Sequence, residues 1–212
     1  MAGGVEVFWD ILLWILLTIF NYLWITTSID IIVTGFPALR LEKKLDKTSF
    51  LIERENHSEN QGASECSAFA SAYVYRHFGR EAKGMELYEE MPWKFPGGSV
   101  SCRGIVKLAR KYGFSAGLRA GTLTALKNAV AKGTPVIVLI RSGLGKTTMH
   151  FVPIVGYNEE YIFIMDSVRS SRNHRTAYYN RRVPTKEFCK LWNVSMLRQP
   201  FYRNLFIEIS EE

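Results

Sequence analysis

The stretch Asn60 to Gly79, NQGASECSAFASAYVYRHFG, decides the reading of this chain. A polar, turn-prone run ends at Glu65, and a segment of small and apolar residues starts at Cys66. Phe69, Ala70, Tyr73, Val74 and His77 recur at helical spacing. Gly79 is a suitable stop, because only glycine enters the left-handed conformation past a helix end without a Cβ clash. Cys66 therefore falls at a helix N-terminus. Unpaired N–H groups and the helix dipole favour a thiolate there, and the thiolate is the reactive form of cysteine.

Upstream the chain changes character. Ile11 to Ile29 is a charge-free run of 19 residues, close to the ~20 that cross a bilayer as a helix. Trp9, Trp14, Tyr22 and Trp24 add the aromatic bias of membrane interfaces. No basic n-region precedes the run and no A-x-A site follows, which disfavours a cleaved signal peptide. Glu6, Asp10 and Asp30 are the charged residues among the first 34, so residues 35–212 carry +10 of a net +7. Arg40, Lys43, Lys44 and Lys47 flank the run on its C-terminal side. By the positive-inside rule the residues beyond it face the cytoplasm. The sequence thus divides into an anchor helix (1–34), a juxtamembrane connector (35–49) and a catalytic domain (50–212). A single-pass membrane protein with lipid around its N-terminal helix is expected. The connector contains ALRLEKKLDK, which reads as a short amphipathic helix, and TSFLIE (48–53), which reads as a short strand, leads from it into the next domain.

From Cys66 to Gly133 the signals are helical. KGMELYEEM gives a second helix ending at Pro92. Ser99 or Ser101 caps a third through Tyr112, with Gly113 as its stop, and Thr122 opens a fourth that Gly133 closes. The period then changes. PVIVLIRS, HFVPIVGY and EYIFIMDS are β-branched and aromatic runs, with NEE short enough for a hairpin. TAYYNRRVP and RNLFIEIS read as further strands, and TKEFCKLW as a helix capped by Thr185. Helices followed by a mostly antiparallel sheet is the α+β pattern.

Several functions are disfavoured. SGLGKTT imitates a phosphate loop, but G-x-x-x-x-G-K-[ST] requires glycine where Ile140 stands. Three widely spaced cysteines, Cys66, Cys102 and Cys189, form neither a disulfide framework nor a zinc motif. No metal or other cofactor is expected. The basic residues form no recognisable nucleic-acid module. The basic segment Arg169 to Arg182 reads equally as a grip on an acidic substrate or as a solvated surface loop.

A cysteine nucleophile needs a base, and the base an orienting partner. Of the four histidines, His150 opens a strong strand, where a base is held rigidly at the rim of a sheet. Asp166 ends the next strand of the same hairpin, and antiparallel pairing brings the end of one strand beside the start of the other. The oxyanion formed by attack on a carbonyl needs preorganised donors. Gln61, five residues before Cys66, can supply one and the Cys66 backbone N–H another; Asn60 is adjacent.

N-Q-G-A-S-E-C-S-A-F resembles the cysteine motif of papain-like peptidases. H-F-V-P-I-V-G-Y with Y-I-F-I-M-D-S, and then R-R-V-P-T-K-E-F-C-K-L-W, resemble the bacteriocin-processing peptidases that cut double-glycine leaders, and their stand-alone relatives. The resemblance covers roughly residues 50 to 210. It implies a papain-like fold behind a transmembrane helix, with Gln61 as oxyanion donor, Cys66 as nucleophile, His150 as base and Asp166 as orienter. It also implies a peptide or protein substrate. With no ATP-binding cassette in the sequence, coupling to export would take a separate ATPase as partner. Two departures stand out. Ser67 replaces the usual glycine after the cysteine, and Asn60 occupies the position six before it where the glutamine is usual, leaving the donor open between Gln61 and Asn60. Alternatives are a transglutaminase-like acyltransferase on the same scaffold and a non-catalytic binding module.

Overall fold

The structure, a computed structural model, describes residues 3–194 and 203–211. It begins with a long helix, α1 (Gly3–Thr34). Its stretch Val5–Ile25 is long and apolar enough to cross a membrane and is unburied by the rest of the protein. The chain continues through β1 (Ala38–Arg40) and β2 (Phe50–Leu51) into α2 (Cys66–His77), α3 (Gly84–Glu90) and α4 (Cys102–Lys111). Then come β3 (Phe114–Gly121), α5 (Leu123–Val130), β4 (Val136–Arg141), β5 (Met149–Tyr157), β6 (Tyr161–Ile164), β7 (Arg181–Pro184), α6 (Thr185–Trp192) and β8 (Leu205–Glu211).

The eight strands form one sheet in the order β1-β3-β8-β4-β5-β6-β7, with β2 pairing β5. All pairings are antiparallel except β1 with β3. Strand β4 is buried on both faces, which is why VIVLI is apolar without alternation. Ile137 and Leu139 pack with α2 and α4, while Val136, Val138 and Ile140 pack with α5 and α6. This is a helix–sheet–helix sandwich, and it confirms the α+β class.

Helix α2 lies in the middle of the first layer. Both its sides are buried, not only the face that its periodicity marks. Gly79 sits at φ +79°, the left-handed stop expected of it. Gly84, at the start of α3, packs so closely on α2 that a Cβ there would meet the Phe69 ring at 2.6 Å.

Four local expectations need correction. ALRLEKKLDK is not a helix: residues 38–40 extend the sheet as β1, and the following turn is tied down where Asn128 bonds Lys44 O and the Asp46 N–H. FSAGLRAG forms a full strand inside the region read as helical, because Phe114, Ala116 and Leu118 alternate inward against α4 and β8. The order is therefore not helices then sheet, since β1 and β3 supply one edge of the sheet early in the chain. Finally, Ser101 stands at the N-cap of α4 and Thr185 is the first residue of α6, but neither helix has a side-chain cap; Thr122 does cap α5, accepting from the Ala125 N–H at 3.1 Å. TSFLIE contributes β2, and the SGLGKTT segment connects β4 to β5 rather than opening a helix.

Candidate active site

Cys66 is the first residue of α2 and is partly exposed. The first N–H groups of a helix have no intrahelical acceptor, so the Cys66 amide is available to a ligand. Glu65 provides the N-cap, and its carboxylate folds back to accept the Ser64 N–H at 3.1 Å. None of Cys66, Cys102 and Cys189 forms a disulfide among the described residues.

His150 is the second residue of β5, opposite Ile140 of β4. Pairing of Ile154 with Ile164 carries Asp166, just past β6, to within two residues of His150 across the hairpin. Diagonal neighbours at this offset are within reach of a long side chain. His150 Nε2 lies 2.9 Å from Asp166 Oδ1, and Cys66 is the other group that acts on the same ring. With Nε2 committed to Asp166, Nδ1 is the nitrogen left for sulfur.

Asp166 is fully buried, yet its carboxylate is well satisfied. Oδ1 also accepts the Val168 N–H at 2.8 Å, and Oδ2 accepts from Arg181 Nη1 at 2.8 Å. Its backbone N–H donates to Asn180 Oδ1 at 2.7 Å. Burial alone would raise the carboxyl pKa, but His150, the Val168 N–H and Arg181 together hold it below the usual range. For His150 burial disfavours the imidazolium. Bonds to Asp166 and Cys66, with their charges, outweigh burial and push its pKa up to about 9.

Gln61 is tied to the loop after Asp166 in two ways. Its N–H donates to Ser167 O at 3.2 Å, and its side-chain Oε1 accepts the Ser167 hydroxyl at 2.6 Å. An amide held by its oxygen presents its NH2 as a donor in a fixed direction. Asn60 has no such tether among the described residues; it lines a neighbouring cleft.

The structure thus joins His150 to Asp166 by a hydrogen bond, brings Cys66 to act on the same ring, and anchors Gln61 to the residue after Asp166. Sequence reasoning missed Ser167 and Arg181. Arg181 was detectable in principle: in RRVP the alternate residues Arg181 and Val183 point inward, and Arg181 pairs with Ile164 two residues before Asp166.

A sheet flanked by helices, with a cysteine at the head of the central helix and a histidine on a facing strand, is the papain-like arrangement. Solved structures agree on the fold. The chain is similar to the peptidase domain of Streptococcus ComA, a bifunctional ABC transporter involved in quorum sensing, at 21% identity over 74% of this chain and 100% of that one, TM-score 0.57. It is similar to a protein from Bacillus anthracis described as a C39-like peptidase, at 17% identity over 76% and 98%, TM-score 0.57. It also resembles the Carica candamarcensis cysteine protease CMS1MS2, crystallised with E-64, at 15% identity over 78% and 99%, TM-score 0.57. A comparison with curated proteins by sequence finds no match.

The family described as Peptidase_C39 like matches residues 51–196, more than half of the chain. The chain belongs to that family and is a cysteine peptidase, a hydrolase.

Proposed function

We propose that the chain hydrolyses peptide bonds through a triad of Cys66, His150 and Asp166, anchored to a membrane by α1 and divided as 1–34, 35–49 and 50–212. The observation that carries this reading is the buried 2.9 Å hydrogen bond between His150 and Asp166, on a ring that also interacts with Cys66 at the head of α2. His150 takes the sulfur proton and becomes imidazolium. The thiolate attacks the scissile carbonyl carbon, forming a C–S bond and placing the electron pair on oxygen. The Cys66 N–H and the Gln61 NH2 receive that oxyanion. The imidazolium gives its proton to the leaving amine as the C–N bond breaks. His150 then takes a proton from water, whose oxygen displaces the thiolate from the thioester. Asp166 remains ionised and fixes the ring, and Arg181 fixes Asp166.

The substrate in this reading is a peptide or protein, and leader processing beside a separate export ATPase is the role that fits best. The ComA relative, whose peptidase domain belongs to an ABC transporter, supports it. The basic residues that follow α1 support a catalytic domain on the cytoplasmic side. The test is cleavage of a mixed peptide library by the full chain in detergent, wild type against Cys66→Ala, read by mass spectrometry. Hydrolysis lost in Cys66→Ala is the expected result, with the cut sites revealing any Gly-Gly preference. Hydrolysis that survives the substitution would refute the assignment, and transfer of the acyl group to an added amine in place of water would favour an acyltransferase.

A further inference from the structure

Beside the candidate active site lies an open cleft of about 840 Å³, within the ~300–1,000 Å³ typical of ligand pockets. Arg169, Arg172, Arg175 and His174 line it together with Ser58 and Asn60. No carboxylate contributes to the lining. Two carboxylates adjoin the lining residues and both are committed: Glu59, between Ser58 and Asn60, to Arg76 and the Gly84 N–H, and Asp166 to His150, Val168 and Arg181. Resting on the peptidase reading above, we propose that this cleft is a substrate subsite that selects an acidic side chain, Asp or Glu, within a few residues of the scissile bond.

Three observations carry it. First, the cleft is joined to the reacting groups. Asn60 precedes Gln61, and Arg172 bonds the backbone carbonyls of Asp166 at 2.9 Å and Glu59 at 3.1 Å. A peptide across Cys66 would therefore extend past it. Second, the wall is built rather than loose. Asn173 exchanges hydrogen bonds with the backbone of Arg182, both at 2.9 Å. Asn180 ties Ser58 Oγ to Asp166 O, and His174 stacks on Tyr179, which stacks on Phe163. Third, the charge is unused. Arg172 is spent on carbonyls, but the side chains of Arg169 and Arg175 form no ion pair or hydrogen bond among the described residues, and both residues are exposed. Like charges grouped in a cleft without a counter-ion attract an anion and focus its approach.

An anionic lipid headgroup would satisfy the same charges. The topology favours the peptide. The segment leaving α1 enters the sheet as β1 at one edge, whereas the cleft follows β6 near the other. Six strand intervals of about 4.8 Å separate those edges, roughly 29 Å.

The test uses the full chain in neutral phosphatidylcholine nanodiscs and a library of peptides varied at each position around the cut. Wild type should favour Asp and Glu at one position over Gln and Asn by about tenfold, a margin that shrinks in high salt. Arg169→Glu with Arg175→Glu should invert the preference toward Lys and Arg at that position, a gain that misfolding does not produce. Arg169→Lys with Arg175→Lys should retain the acidic preference. An identical profile in wild type and the charge-reversed variant would overturn the proposal. If no peptide is cut, binding still decides: Cys66→Ala should bind fluorescein-labelled hexaglutamate about tenfold more tightly than hexaglutamine, and equal binding overturns the subsite. Protection of Arg169 and Arg175 from phenylglyoxal by phosphatidylglycerol nanodiscs, and not by hexaglutamate, would assign the cleft to a lipid surface and overturn it as well.

Discussion

Replacing Arg181 with methionine isolates the device that keeps Asp166 charged. Arg181 is 7% exposed and Asp166 0%, and their charged atoms are 2.8 Å apart. Taking about 4 Å between charge centres and an effective dielectric near 20, the attraction is about 4 kcal/mol. Removing one partner of a buried pair leaves the other charge uncompensated, at a cost of about 3–5 kcal/mol. Asp166 retains His150 and the Val168 N–H, so Arg181→Met should cost about 3 kcal/mol, the low end of that range. The sign with pH follows from the carboxyl. Its folded pKa is depressed, so the stability it contributes is present above the unfolded pKa and is lost as pH falls through the folded one. Without Arg181 the folded pKa rises, and the deficit should narrow as pH falls through the variant's folded pKa and Asp166 takes up a proton. Urea unfolding of the full chain in detergent, followed by tryptophan fluorescence, reads both quantities. A deficit under about 1 kcal/mol, or one that is constant with pH, would refute the role given to Arg181.

Three further outcomes follow from the same geometry. Gln61→Ala should lower kcat about 100-fold and Ser167→Ala about tenfold, while Asn60→Ala changes kcat less than threefold; equal losses for Gln61 and Asn60 would remove the distinction between them. Peptidase activity should fall on an alkaline limb near pH 9 as His150 loses the proton it must give the leaving amine, whereas alkylation of Cys66 should persist above that pH; a limb near pH 6.5 would contradict the elevated imidazolium. Gly84→Ala should destabilise the fold by about 1–3 kcal/mol, because the new methyl meets the Phe69 ring at 2.6 Å, and an unchanged urea midpoint would show that α2 and α3 separate easily.

The placement of Cys66, His150 and Asp166 was more legible in the sequence than the architecture at the sheet edges. A helix start after a polar run is a local signal for Cys66, and the pairing of His150 with Asp166 follows from the short spacing of a hairpin. The doubly buried β4 and β5 are equally clear from their apolar runs. Strand β3 was hidden because its alternation rests on Phe114, Ala116 and Leu118 alone, with Gly117 and Gly121 weakening any strand signal. Strand β1 is exposed throughout and exists only by pairing with β3. LEKKLDK has helical charge spacing, but bonds from Asn128, more than 80 positions away in sequence, decide its path. Arg181 looks like any other arginine of a basic segment until β6 and β7 pair and set it against Asp166. Ser167 gains its meaning only from a contact with Gln61 across 106 positions.

The most direct measurement is the alkylation rate of each cysteine by iodoacetamide at pH 7, resolved by peptide mass spectrometry, in the full-length wild type and in His150→Ala. The account predicts that Cys66 reacts far faster than Cys102 and Cys189, and that the advantage disappears when His150 is removed. A Cys66 that labels at the rate of an ordinary exposed thiol, with or without His150, would contradict the catalytic chain from Cys66 to Asp166.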